Sequence, residues 1–249
     1  MEQYRHSSCR SIIFFRVDSL GYCMTHELNP DFIDQFSNGS FLLIHDNEFR
    51  ENETDLMLAG EFVTPQKITQ MRTLGGGLLC VAISYSIADK IGLPFMHEIL
   101  RSGSVNFPTL SKIIDTSRGI DLQSSHSITF NSRESGGVTD YQRCKTISDL
   151  VELIKDSSDD LIHNNFIETF ESPGHLQLLI ANKDLLQKRQ GHTEISIFLT
   201  QQAKISPVVV MCEMLDDNTS KSRTVDDCKK IAKTLDIPFV ESDFIVNSL

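Results

Sequence analysis

The segment PVVVMCEML at 207–215 constrains the fold more than any other part of the chain. Its first residues are apolar at consecutive positions, so a strand formed here would bury both of its faces. Such a strand belongs in the middle of a sheet that other layers cover on both sides. The segment therefore predicts a layered α and β domain with this strand at the centre of its sheet.

Short apolar runs alternate with helical patterns through the rest of the chain, which is typical of layered domains. Further strands or apolar runs are predicted at 41–45, 56–60, 78–83, 127–131 and 176–181. Helices are predicted from Thr64-Pro65 to the glycines at 75–77, around 84–91, from Thr139 or Asp140 onwards, from about 193, and at 224–235. Residues 101–125 give no firm prediction, and SPGH at 172–175 is interpreted as a turn.

Residues 26–249 contain no internal repeat or linker. This favours a single α+β domain, a three-layer α/β/α sandwich around a mixed, twisted sheet. Asn29 and Pro30 are interpreted as the cap and first position of its first helix. Residues 1–25 show no clear period, and we expect them to form a flexible N-terminal extension.

The formal net charge of −11 limits the possible partners. A chain this acidic repels nucleic acid and acidic lipid, and a phosphorylated ligand would need a local cation or helix N-terminus. No apolar run reaches the roughly eighteen residues of a membrane-spanning helix. We therefore expect a cytoplasmic protein that binds neither nucleic acid nor membrane.

The six cysteines include no CxxC pair, so the sequence predicts no structural zinc site. A chain of 249 residues is long enough to bury a sizeable core without one. Cys80 and Cys212 lie inside apolar runs, and both are interpreted as buried core thiols.

The first candidate site is the segment HDNEFRENETD at 45–55, in which carboxylates surround Arg50. Its acidic residues are Asp46, Glu48, Glu51, Glu53 and Asp55. Carboxylates so close in sequence repel one another unless a cation neutralises them, so the segment could hold a hard divalent metal ion. A solvated acidic loop is the alternative, and it is the commoner one in an arbitrary protein.

The second candidate is RQGHTE at 189–194, where a helix is predicted to begin beside Arg189. Gly191 allows a ligand to approach the backbone, and a helix start next to a guanidinium is typical of a phosphate site, with Thr193 as a hydroxyl donor. His192 could complete a mixed carboxylate and imidazole metal site with a glutamate of the acidic segment. A helix cap with a surface histidine is the alternative interpretation.

His175, at the end of SPGH, and Glu213, inside the apolar run at 207–215, are candidates for proton transfer. A histidine at the mouth of a strand can act as acid or base near neutral pH, and a carboxylate in apolar surroundings has a raised pKa. The alternatives are a structural histidine and a glutamate that points outward at a strand end.

RENETD, GGGLLC, GVTD, SPGH, RQGHTE and MCEMLDD occur in this order in the chain. Their combination resembles the 3,4-dihydroxy-2-butanone 4-phosphate synthase family in its archaeal, single-function form, over roughly residues 26–246. The resemblance implies a lyase of riboflavin biosynthesis that converts D-ribulose 5-phosphate to 3,4-dihydroxy-2-butanone 4-phosphate and formate through a metal-stabilised enediol. It also implies Mg²⁺ or Mn²⁺ as cofactor, with two ions per site, and a homodimer with sites near the subunit interface.

The resemblance implies a catalytic domain over residues 26–249, with Glu51 and His192 as metal ligands and His175 and Glu213 as catalytic residues. The implied substrate-binding residues are Arg50, Glu51, Asp55, Arg189, Gln190, Gly191, His192, Thr193 and Glu213. The positions that depart from the family pattern are Asn47, Phe49, Gly136 and Gln142. Two alternatives are a catalytically silent paralogue that binds a metal or sugar phosphate, and another metal-dependent sugar-phosphate isomerase or aldolase.

Overall fold

The structure, a computed structural model, describes residues 15–17, 23–25, 31–47, 49–114 and 124–247. Its strands are β1 (Phe15–Val17), β2 (Cys23–Thr25), β3 (Leu42–His45), β4 (Thr54–Ala59), β5 (Cys80–Ile83), β6 (His126–Ser132), β7 (Phe170–Ile180), β8 (Val208–Glu213), β9 (Leu215–Asp216), β10 (Lys221–Ser222) and β11 (Phe239–Glu241). Its helices are α1 (Asp31–Ser37), α2 (Pro65–Leu74), α3 (Tyr85–Ile91), α4 (Met96–Gly103), α5 (Pro108–Ile113), α6 (Asp140–Asp156), α7 (Ile162–Thr169), α8 (His192–Ala203), α9 (Val225–Leu235) and α10 (Ser242–Val246).

Seven of these strands form one mixed sheet, in the order β11-β3-β4-β8-β5-β7-β6. β11 runs parallel to β3 and β5 runs parallel to β7, and the other neighbouring pairs are antiparallel. β8 lies in the middle of this order, and all of its residues except Glu213 are buried. The predicted central strand at 207–215 is therefore confirmed, with slightly shorter bounds.

Helices cover both faces of the sheet, because its inner strands are apolar on both sides. Leu56 and Leu58 of β4 belong to a core that includes residues of α2, α3, α6, α7 and α9. Met57 and Ala59, which alternate with them, belong to a second core that includes residues of α1, α8 and α10. The predicted three-layer α+β sandwich around a mixed sheet is confirmed.

Short polar residues and glycine set the ends of the predicted helices. The Thr64 hydroxyl accepts a hydrogen bond from the Lys67 N–H at 3.2 Å, and Pro65 follows as the first residue of α2. The Thr139 hydroxyl accepts from the Gln142 N–H at 3.3 Å, and the Gln142 side chain bonds back to the Thr139 N–H at 3.2 Å. These caps confirm the predicted starts of α2 and α6.

Three segments differ from the sequence predictions. The unassigned stretch 101–125 contains the end of α4 and all of α5. Neither helix has a buried residue, so neither shows the periodic apolar pattern of a helix that packs on the core. α7 has no counterpart among the predicted helices, since its buried residues, Ile162 and Phe166, are too few to mark a helix. SPGH lies within β7 instead of forming a turn, at a shift in the register between β6 and β7.

Two further strand pairs, β1 with β2 and β9 with β10, form small antiparallel sheets. β1 and β2 are the described part of the predicted N-terminal extension, and the rest of residues 1–25 lies outside the described residues. The predicted cap at Asn29 and Pro30 also lies outside them, and α1 is described from Asp31. Among the helices that the structure describes, none combines the length and apolar composition needed to span a bilayer.

We expect Gly174→Ala to lower the free energy of unfolding by about 2 to 3 kcal/mol. A Cβ atom at Gly174 would lie 2.5 Å from the Asn131 nitrogen and closer still to the Phe130 carbonyl group, and backbone atoms of β6 cannot move aside as a flexible side chain can. Urea unfolding measures this loss. Gly136→Ala is the control, because its Cβ would meet nothing closer than Glu171 Oε1 at 3.5 Å. Equal stability of the two variants would contradict the prediction.

Candidate active site

A cavity of about 310 Å³ lies where β4 begins, β8 ends and α8 begins. Asp55 of β4 and Glu213 of β8 are paired in register, so the sheet itself places two carboxylates side by side there. The sequence-predicted residues that line the cavity are Arg50, Glu51, Asp55, Arg189, His192, Thr193 and Glu213. The structure therefore brings together the acidic segment, the start of α8 and the end of the central strand.

His192, the first residue of α8, is buried against two carboxylates of the acidic segment. Its Nε2 lies 3.2 Å from the Ile44 carbonyl oxygen, and its Nδ1 lies 3.8 Å from both Glu51 Oε2 and Asp55 Oδ2. Burial alone lowers the pKa of His192, but Asp55 and Glu51 outweigh burial and raise that pKa to about 9. His192 in turn lowers the pKa of Glu51 to about 2.

Asp46 organises the acidic segment from a buried position. Its carboxylate accepts hydrogen bonds from the Glu53 N–H at 2.9 Å and the Glu51 N–H at 3.2 Å, and it pairs with Arg50 Nη1 at 2.8 Å. One ligand atom each from Asp46, Glu51 and His192 lies within 4.8 Å of the other two. Two carboxylates and an imidazole this close fit a divalent cation, and Asp46 is a member of the group that sequence reasoning did not assign.

Two guanidinium groups converge on Gly191, immediately before α8 begins. A Cβ atom at Gly191 would lie 2.6 Å from Arg50 Nη2 and closer still to Arg189 Nη1, so any other residue here would displace the two guanidinium groups. Arg189 pairs with the buried Glu194, whereas Arg50 Nε and Nη2 are buried without a hydrogen-bond partner among the described residues. Unpaired guanidinium donors at the N-terminus of a helix are suited to an anion.

Asp55 and Glu213 have surroundings that favour their protonated forms. Burial raises the pKa of Asp55 to about 7, although the nearby His192 opposes the shift. Burial also raises the pKa of Glu213, whose Oε2 accepts a hydrogen bond from the Leu78 N–H at 2.7 Å. Carboxyl groups with raised pKa values are candidates for general acid and base chemistry.

Three of the predicted residues do not line the cavity. His175 is exposed on β7, where its backbone N–H donates to Asn131 Oδ1 at 2.8 Å. Gln190 is exposed, and its Nε2 lies 3.4 Å from the Leu186 carbonyl oxygen. Gly191 is buried and contributes space for the two arginines instead of cavity wall.

Other residues line the cavity without having been predicted. Ser124 and Ser125 end the stretch that gave no firm prediction and His126 follows it, so no sequence pattern placed them at a site. Cys80 is buried as expected, but it also forms part of the cavity wall. Burial and the neighbouring Glu213 raise the pKa of the Cys80 thiol, which keeps it protonated.

The sequence matches a protein-family model. The model, described as 3,4-dihydroxy-2-butanone 4-phosphate synthase, covers residues 30–248. Two relatives with that name are each similar to this chain over most of its length and most of their own. The one from Methanothermobacter thermautotrophicus is 37% identical over 84% of this chain and 90% of its own. The one from Archaeoglobus fulgidus is 39% identical over 85% of this chain and 89% of its own.

Solved structures of the same name share the fold. The Candida albicans enzyme is 28% identical and superposes with a TM-score of 0.66, over 87% of this chain and 94% of that one. A second structure, described as being in complex with two magnesium ions, is 22% identical, with a TM-score of 0.69 over 86% of this chain and 92% of that one.

In the metal-free protein, we expect Asp55→Asn to raise the free energy of unfolding by on the order of 1 to 2 kcal/mol at pH 8. Because the pKa of Asp55 is raised from 3.8 to about 7, its contribution to stability is complete below pH 3.8 and is lost as the pH rises through 7. Asparagine does not ionise, so the advantage of the variant should grow between these two values and then stay constant. Thermal unfolding in EDTA between pH 4 and 8 measures it.

Asp140→Asn is the control with the opposite sign. Arg72 lowers the pKa of Asp140, so this carboxylate stabilises the fold above its ordinary pKa and the variant should be less stable than wild type at neutral pH. If Asp55→Asn is no more stable than wild type at pH 8, then burial of the ionised Asp55 carboxylate does not lower the free energy of unfolding, and the prediction is wrong.

Proposed function

The chain belongs to the 3,4-dihydroxy-2-butanone 4-phosphate synthase family, and from this premise we propose that the cavity at the start of α8 is its active site. The enzyme is a lyase of riboflavin biosynthesis, which converts D-ribulose 5-phosphate to 3,4-dihydroxy-2-butanone 4-phosphate and formate. One observation carries the assignment of the site. A cluster of metal-ligating groups and a pair of arginines converge on the first residues of α8.

Glu51 and His192 hold the divalent cation, with Asp46 within reach as a further carboxylate. The His192 Nε2 contact with the Ile44 carbonyl oxygen directs Nδ1 toward the cavity, as is usual for a histidine that ligates a metal. Mg²⁺ or Mn²⁺ suits these ligands, and the magnesium complex of the related structure supports two ions per site. A bound cation would polarise the ketose carbonyl and make the proton at C3 more acidic.

The phosphate group of the substrate binds at the N-terminus of α8. Arg189 and Thr193 line the cavity there, and Gly191 leaves the space that the phosphate and both guanidinium groups require. The unpartnered Nε and Nη2 of Arg50 point to a ligand with several acceptor oxygens. The substrate thus lies across the cavity, with its sugar hydroxyls toward Glu51 and Asp55.

Asp55 and Glu213 move protons. Their carboxyl groups are adjacent across β4 and β8, and both have raised pKa values. Asp55, with a pKa of about 7, can accept a proton from a substrate carbon and then donate it to a leaving hydroxyl at neutral pH. The Leu78 N–H bond fixes one oxygen of Glu213 and leaves the other for the substrate.

His175 completes the site from a second copy of the chain. It is exposed and does not line the cavity of its own subunit, so its catalytic role requires a partner that brings the imidazole in. Leu78, Val138 and Tyr141 are exposed apolar side chains that such a partner could cover. Leu78 lies beside the cavity, because its backbone N–H donates to Glu213. A symmetric homodimer is the simplest assembly.

The four departures from the family pattern leave these groups intact. Asn47 Nδ2 donates to Asp243 Oδ1 at 2.9 Å and ties the acidic segment to α10, while Phe49 is 88% exposed. Gln142 closes the capping box of α6, and Gly136 lies in the loop before it. The active form is thus favoured over a silent paralogue.

A cytoplasmic location accords with the buried free thiols of Cys80, Cys144, Cys212 and Cys228.

We expect Glu51→Ala and His192→Ala each to lower Mg²⁺-dependent formate release by at least about 10³-fold, because each removes a metal ligand. Formate is measured from purified protein with ribulose 5-phosphate and Mg²⁺, with EDTA as the blank, and metal affinity is measured separately with Mn²⁺. His163→Ala is the matched control, since its Nδ1 also lies near a backbone carbonyl, that of Ile91 at 2.6 Å, but away from the cavity. Full activity in either site variant would refute the metal assignment.

Mixing two inactive variants tests the role of His175. If the imidazole acts across the interface, refolding equal amounts of His175→Ala and Glu51→Ala together should restore about a quarter of wild-type formate release, because half of the dimers then hold one intact site. Each variant alone should stay inactive. A mixture that also stays inactive, although the chains exchange, would place His175 in the site of its own subunit.

A further inference from the structure

Ser125 lies on the cavity wall just before β6, and Arg189 lines the same cavity. Both residues also line a small adjoining cavity, so they border a second common space. The position of Ser125 is fixed by the sheet, because its carbonyl oxygen accepts a hydrogen bond from the Ile180 N–H at 2.8 Å and the next residue, His126, pairs with Leu179.

The side chain of Ser125 differs from that of its neighbour Ser127. Ser127 is fully buried, and its hydroxyl donates to the Pro94 carbonyl oxygen at 2.6 Å. Ser125 is only 6% exposed, yet its Oγ has no hydrogen-bond partner among the described residues. A buried hydroxyl without a partner costs free energy, and it is retained in a cavity wall where a ligand can satisfy it.

The surroundings of Ser125 indicate an anionic ligand group. Burial and, to a smaller extent, the nearby charge of Arg189 lower the pKa of the His126 imidazole. Ser125, His126 and Arg189 thus line one cavity, and a guanidinium beside a hydroxyl donor suits a phosphate group. The Glu51 and His192 end of the cavity, by contrast, has the groups that suit a cation.

We propose that Ser125 is a substrate-binding residue whose hydroxyl donates a hydrogen bond to the phosphate group beside Arg189, and that His126 forms the outer rim of this subsite. The proposal rests on the proposed function for the identity of the substrate. It adds a second wall, contributed by β6, to the phosphate site at the start of α8. The bound phosphate is then held from two elements of the fold, which sets its position relative to the cation.

Binding of inorganic phosphate to purified, Mg²⁺-loaded protein tests the subsite without any turnover. In Ser125→Ala, calorimetry should find the phosphate Kd raised about 5- to 10-fold, the loss expected for one hydrogen bond to a charged group. The KM for ribulose 5-phosphate should rise by a similar factor while kcat stays within about twofold, because the contact is made equally in the ground and transition states. His126→Gln should weaken phosphate binding by a smaller factor.

Ser206→Ala is the matched control. Ser206 is 8% exposed and also has an Oγ without a partner among the described residues, but it lies beyond the far end of α8, outside the cavity wall. This variant should bind phosphate as wild type does. Neither serine variant should unfold at a lower temperature, since each loses an unsatisfied hydroxyl. A structural role for Ser125 predicts the reverse, a lower unfolding temperature with unchanged phosphate affinity, and that outcome would overturn the proposal.

The two readouts separate failure of the subsite from failure of the reaction. Phosphate binding that depends on Ser125 in a protein that releases no formate would refute the lyase activity and retain the anion subsite. Formate release with the same phosphate Kd in Ser125→Ala and wild type would refute the subsite and retain the lyase.

Discussion

The attraction between His192 and the carboxylates around it holds the active site together. Asp46, Glu51 and Asp55 come from one short segment, and their mutual repulsion would open the cavity if nothing opposed it. His192 lies within 3.8 Å of Glu51 and Asp55, and its raised pKa keeps it cationic in the absence of a metal ion. A divalent cation bound there would take over this neutralising role, with His192 then neutral, so the same groups serve the fold and the ligand.

The sheet delivers these groups to one place by its register. Asp55 and Glu213 face each other because β4 and β8 are antiparallel neighbours in the interior of the sheet. α8 packs on the same strands through apolar residues such as Ile195 and Leu199, so its N-terminus must lie close to the carboxylates. A one-residue slip in this register would turn Asp55 to the other face of the sheet. The buried apolar core therefore fixes the geometry of a polar site.

The sequence predicted those parts that depend on strong local signals or on motif order. The central strand was evident from the run at 207–215, and the starts of α2 and α6 followed from Thr64 and Thr139. RENETD and RQGHTE resemble motifs of one family, and that resemblance implied Glu51 and His192 as metal ligands. The fold brings these two residues together. α4, α5 and α7 were missed because they bury few or no side chains, and SPGH was interpreted as a turn because proline and glycine seldom occur within strands. Ser125 has no local signal, since its role depends on a cavity formed by distant segments.

The polar groups of the site are unevenly satisfied, and the unsatisfied ones lower the stability of the free protein. Arg50 Nε and Nη2, Asp55 Oδ1 and Ser125 Oγ are buried without partners among the described residues, and all three residues line the cavity. Each unsatisfied group destabilises the free protein by an amount that a ligand can recover on binding. Substrate and cation should therefore stabilise this fold more than their contact area alone implies, because they satisfy groups that the free protein leaves unpaired. A cavity of this kind is organised before the ligand arrives, and the unfavourable free energy of its unpaired groups is the physical basis of its affinity for an anionic, metal-chelating sugar.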